Sequence, residues 1–376
     1  MKTRYLEYLF REIDLMSELA NCRQRVVQMH FGGGTPTFFS AKELDSLLVK
    51  IKSVFTNFDA LGEFSCEIDP RFLNEEQVEV LTSHGINRVS FGAQDFNEEV
   101  QKEIHRIQPF EMTKNAVDLV RKYGIKSVNM DLIYGLPLQT FASFKETLEK
   151  ALLINPDRLA IFNYAHIPWL KKNMRKFDER SIPAANVKLE ILEYTANFLE
   201  QNGYEMIGMD HFAKPQDELF ISLKNHSLHR NFQGYTTRAG AALLGLGLTS
   251  IGEGKMHYAQ NHKEMNDYEA AIDEGKLPFF KGVLLGADDL IRKRVIMSLM
   301  ANYYADFGQI ARDFNISWKE YFAQSFAQLE YLKDFYELKD GILSVKNEGV
   351  LLIRNIAMCF DAYLANKGAN TFSKTI

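Results

Sequence analysis

His30-Phe31-Gly32-Gly33-Gly34-Thr35-Pro36 joins an apolar run to the start of a helix, and its reading decides the fold. Val26-Val27-Gln28-Met29 before it reads as a buried strand. Ser40-Ala41-Lys42-Glu43 after it is a capping box, opening a helix with Leu44, Leu47, Leu48 and Ile51 on one face. A triple glycine at this handover lets the backbone approach a bound group, with free N–H groups turned toward it. Taken alone, the stretch is equally a tight turn. Neither the dinucleotide fingerprint nor the P-loop spacing is present, so any ligand is of another kind.

Bulk properties narrow the classes. A chain of 376 residues suffices for a large barrel plus a smaller domain. A net charge of -5 argues against nucleic acid as an obligate partner. No stretch approaches the roughly 20 apolar residues that span a bilayer, so no membrane partner is expected. Met1-Lys2-Thr3-Arg4-Tyr5-Leu6 is charged and helical in pattern, unlike a signal peptide. Cys22, Cys66 and Cys359 lie far apart, which excludes a disulfide framework and a local metal-binding cluster and suggests a reducing cytoplasm.

Outward from the glycines the same unit recurs. The first helix carries Tyr5, Leu6, Leu9, Ile13 and Leu15, with Glu7, Arg11 and Glu12 between them. Strands are expected at 63–69, 87–91, 125–133 and 157–162, alternating with helices capped at Asn74, stopped at Gly85 and Gly124, and running over 111–123 and 144–153. Strand, polar or glycine-rich turn, helix, strand is the pattern of a parallel sheet with crossover helices, whose site lies at the carboxyl ends of its strands. Those ends carry Gly32 to Thr35, Glu67 and Asp69, Gln94, Asp131, then Asn163 to His166. One such residue is ordinarily a cap or turn former; five in register point to a barrel-type active site.

Beyond a helix over 187–202, the stretch from His226 to Thr236 is dense in rings and basic groups. His226 and His229 have the spacing of a metal pair but no third ligand nearby. The loop better suits a flat, carboxylate-bearing ligand, with rings such as Tyr235 for stacking and Arg230 for forked pairing. Gly245 and Gly247, in an apolar run ending at Ile251, are compatible with close backbone approach to a ligand. Helices at 288–300, 318–332 and 350–365 with a hairpin over 336–345 suggest a small winged-helix-like domain, read as a lid or packing domain because Arg292-Lys293-Arg294 is its only basic run.

His30 to Thr37, Glu67-Ile68-Asp69-Pro70-Arg71, Gly92-Ala93-Gln94-Asp95-Phe96 and Asn129 to Pro137 resemble the radical S-adenosylmethionine (SAM) enzymes of the coproporphyrinogen oxidase group. Phe162 to His166, Gly208 to Ala213, His229 to Thr237 and Leu352 to Asp361 look like the oxygen-independent branch of that family rather than its heme-trafficking relatives. The likeness covers nearly the whole chain. It implies an α/β fold, a partial (β/α)6 barrel missing its first strand, plus a small mainly helical winged-helix-like C-terminal domain. The expected division is a barrel at 1–215, a connecting, substrate-contacting segment at 216–284 and the helical domain at 285–376.

The resemblance further implies heme biosynthesis: a [4Fe-4S] cluster held by three cysteines, SAM as the source of a 5′-deoxyadenosyl radical, and conversion of two propionates of coproporphyrinogen III to vinyls. Gly33 and Glu67 would hold the cluster-bound SAM. Gly34, Thr35, Gln94, Arg106, Asp131, Ala165 and Ile251 would hold a second SAM, and Arg230 and Tyr235 would contact substrate. Partners would be coproporphyrinogen III and an unidentified electron donor, for a monomer in the cytoplasm. One departure is large: the family's Cys-x3-Cys-x2-Cys loop lies before its first helix, and none of Cys22, Cys66 and Cys359 has cluster spacing. No metal ligand and no catalytic residue is therefore assigned, and the chain as written is expected to be inactive. A truncated record of a working oxidase is favoured over a cluster-less paralogue that binds or traffics heme or SAM.

Overall fold

The computed structural model describes residues 2–19, 21–169 and 172–364. Helix α1 (Lys2–Leu19) leads to β1 (Val26–Phe31), α2 (Ala41–Val54), β2 (Phe58–Ile68), α3 (Glu75–Ser83), β3 (Arg88–Gln94), α4 (Glu98–Glu103), α5 (Phe110–Lys122), β4 (Ser127–Tyr134), α6 (Phe141–Ile154) and β5 (Arg158–Asn163). Strands β1 to β5 pair in parallel, each with the next in sequence. The caps are the expected ones: Ser40 and Glu43 bond reciprocally at α2, as do Asn74 and Gln77 at α3.

The chain divides into two compact units. The first takes the described residues up to Tyr164, with Arg175–Thr195 and Gly240–Leu284; the second takes Ala165–Met174, Ala196–Ala239 and the described residues from Leu285 onward. In the first unit, burial alternates strictly along the central strands. Val89, Phe91 and Ala93 of β3 and Val128, Met130, Leu132 and Tyr134 of β4 are buried. A parallel sheet covered on both faces reads as a continuous apolar run; this alternation leaves the other face polar and half-open. It carries Ser65 and Glu67, Ser90, Gly92 and Gln94, and Asn129 and Asp131, with Glu67 opposite Ser90 and Gly92 opposite Asp131.

This unit also holds, within Gly240–Leu284, a three-stranded antiparallel sheet and α9 (Met265–Asp273). Glu12, expected among the solvent-facing groups of α1, is completely buried. It accepts hydrogen bonds from the Gly247 N–H (2.7 Å), the Asn261 amide (2.6 Å) and the Tyr268 hydroxyl (2.6 Å). Gly245 and Gly247 are explained by the fold itself. A Cβ at 245 would lie 2.7 Å from the Ile251 carbonyl carbon, and Gly247 has φ +91° with the Tyr5 hydroxyl 2.6 Å from its Cβ position. At both positions this chain's own atoms already leave no room for a side chain.

After α7 (Ala185–Gln201) come β6 (Glu205–Gly208), β7 (His211–Ala213), α8 (Glu218–Lys224), β8 (His229–Asn231) and β9 (Gly234–Thr236). The three-stranded sheet of the first unit is β10 (Ile251–Glu253), β11 (His257–Asn261) and β12 (Phe279–Leu284). The second unit closes with α10 (Ala287–Asn302), β13 (Tyr304–Asp306), α11 (Phe307–Phe314), α12 (Trp318–Tyr321), α13 (Ala323–Leu329), β14 (Tyr336–Lys339), β15 (Ile342–Val345) and α14 (Ile353–Met358). Strands β13, β15 and β14 make the wing, and Phe307, Phe322 and Phe360 pack in its own core.

Two expected helices are broken. The stretch 318–332 splits at Phe322 into α12 and α13 and ends in a 3-10 turn, while 350–364 is a 3-10 turn followed by the short α14. Burial of Phe322 and Phe360 in the aromatic core outweighs the helical periodicity there. No helix among the described residues is long and apolar enough to cross a membrane.

Candidate functional site

The glycine turn leaves the end of β1 toward Glu67 of β2. The Gly33 N–H donates to Glu67 Oε2 at 3.3 Å, and Gly33 sits at φ +72°. A Cβ on residue 32 would come within 2.4 Å of His30 Nε2 and 2.8 Å of Glu67 Oε1, so glycine there makes room for the carboxylate. His30 is held by Ser65, its Nδ1 2.8 Å from Ser65 Oγ, with Nε2 3.4 Å from Glu67 Oε1. Gly34 has open space at its Cβ position. Thr35 begins a short 3-10 turn with Pro36 in its first position.

Asp131 lies inside β4, not at its end: bonding to Tyr134 continues the strand past it. It projects to the polar face, where Ser90 Oγ donates to Oδ2 at 3.0 Å and Asn129 Nδ2 to Oδ1 at 2.7 Å. Burial pushes its carboxyl up to about 6, the two donors and the Arg106 charge opposing and the Glu67 charge adding. Glu67 and Arg106 therefore both act on Asp131 across one surface.

Gln94 ends β3 in the left-handed region, φ +67°, just after a register shift at Gly92. A Cβ on Gly92 would lie 2.7 Å from Gln94 Nε2 and 3.2 Å from Arg106 Nη2, which places both over that glycine. Arg106 Nη2 donates to the Gly92 carbonyl at 2.8 Å and stands 3.3 Å from Asp69 Oδ2. Asp69 is forked by Arg71 at 2.9 and 2.6 Å. Burial alone would raise the Asp69 carboxyl, but the Arg71 hydrogen bonds and the Arg106 charge outweigh it and hold it below the usual range. Arg106, expected to hold a second SAM, is thus partly committed within the protein.

Gly33, Gly34, Thr35, Glu67, Gln94, Arg106 and Asp131 line the carboxyl ends and polar face of β1 to β4. Ile251 lies in β10, and Leu246 ahead of it packs against the same α1–α2 apolar cluster as Phe31 and Phe39. Ala165 is the first residue of the second unit, two residues past β5. Arg230 and Tyr235 oppose each other in the β8–β9 hairpin of that unit, with the Arg230 guanidinium 5.6 Å from the Tyr235 ring and the Tyr235 hydroxyl donating to the Met300 carbonyl at 3.1 Å.

Sequence reasoning passed over His30, Ser65, Ser90 and Asn129, whose signal is the polar half of a period-two alternation. It also passed over the Asp69–Arg71–Arg106 link, which joins distant loops. Asp95, next to Gln94, is completely buried and accepts from Gln139 Nε2 at 2.5 Å and Thr147 Oγ1 at 2.9 Å, a structural tie.

The residues present fit SAM: a cradle that a side chain at 32 would fill, a carboxylate against it to receive an ammonium, and a second acidic group among hydroxyl and amide donors. They do not fit a [4Fe-4S] cluster. Cys66 is buried with its thiol pushed up by burial, Cys359 is buried in the second unit, and Cys22 Sγ lies 3.8 Å from the Ser17 carbonyl. Among the described residues, no group of three or more His, Cys, Asp and Glu is placed to hold a metal.

The Radical SAM superfamily model matches residues 2–151. The oxygen-independent coproporphyrinogen III oxidase of Helicobacter pylori strain J99 is 50% identical over 382 residues, 100% of this chain and 82% of that protein. The protein of the same name from Escherichia coli K12 is 41% identical, over 99% of this chain and 82% of its own length. The solved structure of Escherichia coli coproporphyrinogen III oxidase, described as a radical SAM enzyme, matches with a TM-score of 0.92 at 40% identity, over 96% of this chain and 83% of that one.

Proposed function

Because this chain belongs to the radical SAM family of oxygen-independent coproporphyrinogen III oxidases, we propose that it takes part in the oxidative decarboxylation of two propionates of coproporphyrinogen III, giving protoporphyrinogen IX. The family is one of oxidoreductases of heme biosynthesis that use SAM and a [4Fe-4S] cluster. At each propionate the substrate loses a hydrogen atom, one electron and CO2, and a vinyl group remains. SAM, when bound and reduced, supplies the radical that takes the hydrogen.

This chain's own residues bind and orient. Glu67 receives the ammonium of one SAM while the turn from Gly33 presents backbone to its carboxylate. Gly34, Thr35, Gln94, Arg106, Asp131, Ala165 and Ile251 hold a second SAM, with Asp131 accepting from ribose hydroxyls. Arg230 and Tyr235 face substrate. The cluster's ligands are not Cys22, Cys66 or Cys359, and no step is assigned to these thiols. An external electron donor, a monomeric state and a reducing cytoplasm complete the reading.

The observation that carries it is the polar strand face, with Glu67 bonded to the Gly33 N–H and Asp131 held by Ser90 and Asn129. Incubated anaerobically with dithionite, SAM and coproporphyrinogen III, this 376-residue chain is expected to bind both compounds and, for want of cluster cysteines, to form neither protoporphyrinogen IX nor 5′-deoxyadenosine. Tight heme binding with no response to coproporphyrinogen III would overturn the oxidase reading and favour a tetrapyrrole-binding paralogue.

A further inference from the structure

A second set of charged groups lies wholly within the second unit. The β6–β7 turn carries Met209, at φ +40°, and Asp210. Arg354 of α14 approaches both: its Nη2 is 3.5 Å from the Met209 sulfur and 3.9 Å from Asp210 Oδ2. Arg230 of β8 also acts on the Asp210 carboxyl, and all three charges act on the Tyr235 hydroxyl. The Tyr235 ring in turn meets His211 edge-on at 5.1 Å.

The charged groups are gathered but loosely joined: the Arg354–Asp210 ion pair is long, at 3.9 Å. Arg230 Nε is buried with no hydrogen-bond partner, and its guanidinium rests on the Tyr235 ring. The Tyr303 hydroxyl beside Asp210 is likewise buried and unpartnered. Among the described residues, no hydrogen bond joins Asp210 to either guanidinium. Two cations and one anion leave a positive charge over, in a place where unmet N–H groups are costly. A guanidinium fork is met best by a carboxylate. Phe232, at the tip of the same hairpin, is 55% exposed and offers a ring face nearby in sequence.

We propose that Arg230 and Arg354, gathered at Asp210, form a clamp for one propionate carboxylate of the tetrapyrrole. This rests on the coproporphyrinogen reading and names the groups that recognise the substrate's acid side chains. Asp210 keeps the two guanidiniums together, and the Tyr303 hydroxyl supplies a further donor. One carboxylate then neutralises the charge left over and satisfies the orphaned N–H.

The test uses the full chain and coproporphyrin III, the oxidised and fluorescent form of the substrate, with its tetra-amide as the uncharged control. SAM binding by calorimetry reports independently that each variant is folded. R230Q and R354Q are each expected to weaken coproporphyrin III about tenfold or more, with R230K between them and the parent. SAM affinity and tetra-amide affinity should not change. Parental affinity for coproporphyrin III in both Gln variants, or an equal loss for the tetra-amide, would overturn the clamp while leaving the substrate reading intact. A parent that binds SAM but no coproporphyrin III would overturn the substrate reading, and the clamp with it. Arg354 is 49% exposed, so R354Q remains informative if R230Q does not fold.

Discussion

Asp131 shows what the polar strand face costs before anything binds. Burial lifts its carboxyl from the ordinary 3.8 to about 6. The folded protein therefore holds that proton after the unfolded chain has released it, so this residue withdraws stability as pH rises. The penalty is absent below about pH 4 and complete above about pH 6, on the order of 3 kcal/mol. In urea unfolding, wild type is expected to lose ground to D131N by that amount over this window and to run parallel above it. A difference that does not vary with pH would refute the assignment. At Gly32 the constraint is steric: an alanine Cβ would meet His30 Nε2 and Glu67 Oε1 at 2.4 and 2.8 Å. G32A should weaken SAM binding about tenfold in calorimetry yet change the unfolding free energy by under about 1 kcal/mol, because the turn is exposed and both side chains can swing aside. Unaltered SAM affinity would detach Glu67 from the SAM site.

At the scale of elements, α1 is held to the stretch from Gly247 to Tyr268 by Glu12 rather than by apolar packing alone. Its carboxylate meets three donors and no cation, and burial raises its carboxyl above the usual range against those hydrogen bonds. E12A leaves the Gly247 N–H, one Asn261 amide hydrogen and the Tyr268 hydroxyl buried without an acceptor, while the other Asn261 hydrogen keeps the Gly247 carbonyl. It should cost about 3 kcal/mol in chemical denaturation; a loss under about 1 kcal/mol would mean that water replaces the carboxylate. Nothing in the pattern of α1 marks Glu12 as buried, since its partners come from residues 247 to 268 and only the tertiary fold supplies them. The elements whose caps are local were legible: Ser40 with Glu43, Asn74 with Gln77, and the turn at Asp340-Gly341 all lie where sequence puts them. The helices expected over 318–332 and 350–365 were not, because Phe322 and Phe360 bend the described residues of both into a shared core. The site divides the same way. Glu67 and Gln94 follow from strand ends, whereas Ser90 and Asn129 follow from alternation, and Arg106 reaches Asp69 only after folding.

At the scale of the whole molecule, the two units carry different chemistry, and iron chemistry belongs to neither one's cysteines. Cluster assembly needs several thiolates converging on one point. Cys22 and Cys66 belong to the first unit and Cys359 to the second. Burial raises the thiols of Cys66 and Cys359, which disfavours the thiolate form a cluster requires, and both Sγ atoms are turned to backbone carbonyls, Glu67 O at 3.5 Å and Asn355 O at 3.4 Å. Glu67 and Asp131, by contrast, are held by neighbours that need no iron. The two functions should therefore separate in one experiment on residues 1–376. Anaerobic incubation with iron and sulfide is expected to give no iron–sulfur absorbance near 400 nm (about the region of such clusters), while SAM still binds in calorimetry and E67A abolishes that binding. A cluster band accompanied by SAM cleavage would show that these cysteines converge in a way the fold does not provide. Loss of SAM binding without iron would show that the glycine turn and Glu67 are insufficient by themselves.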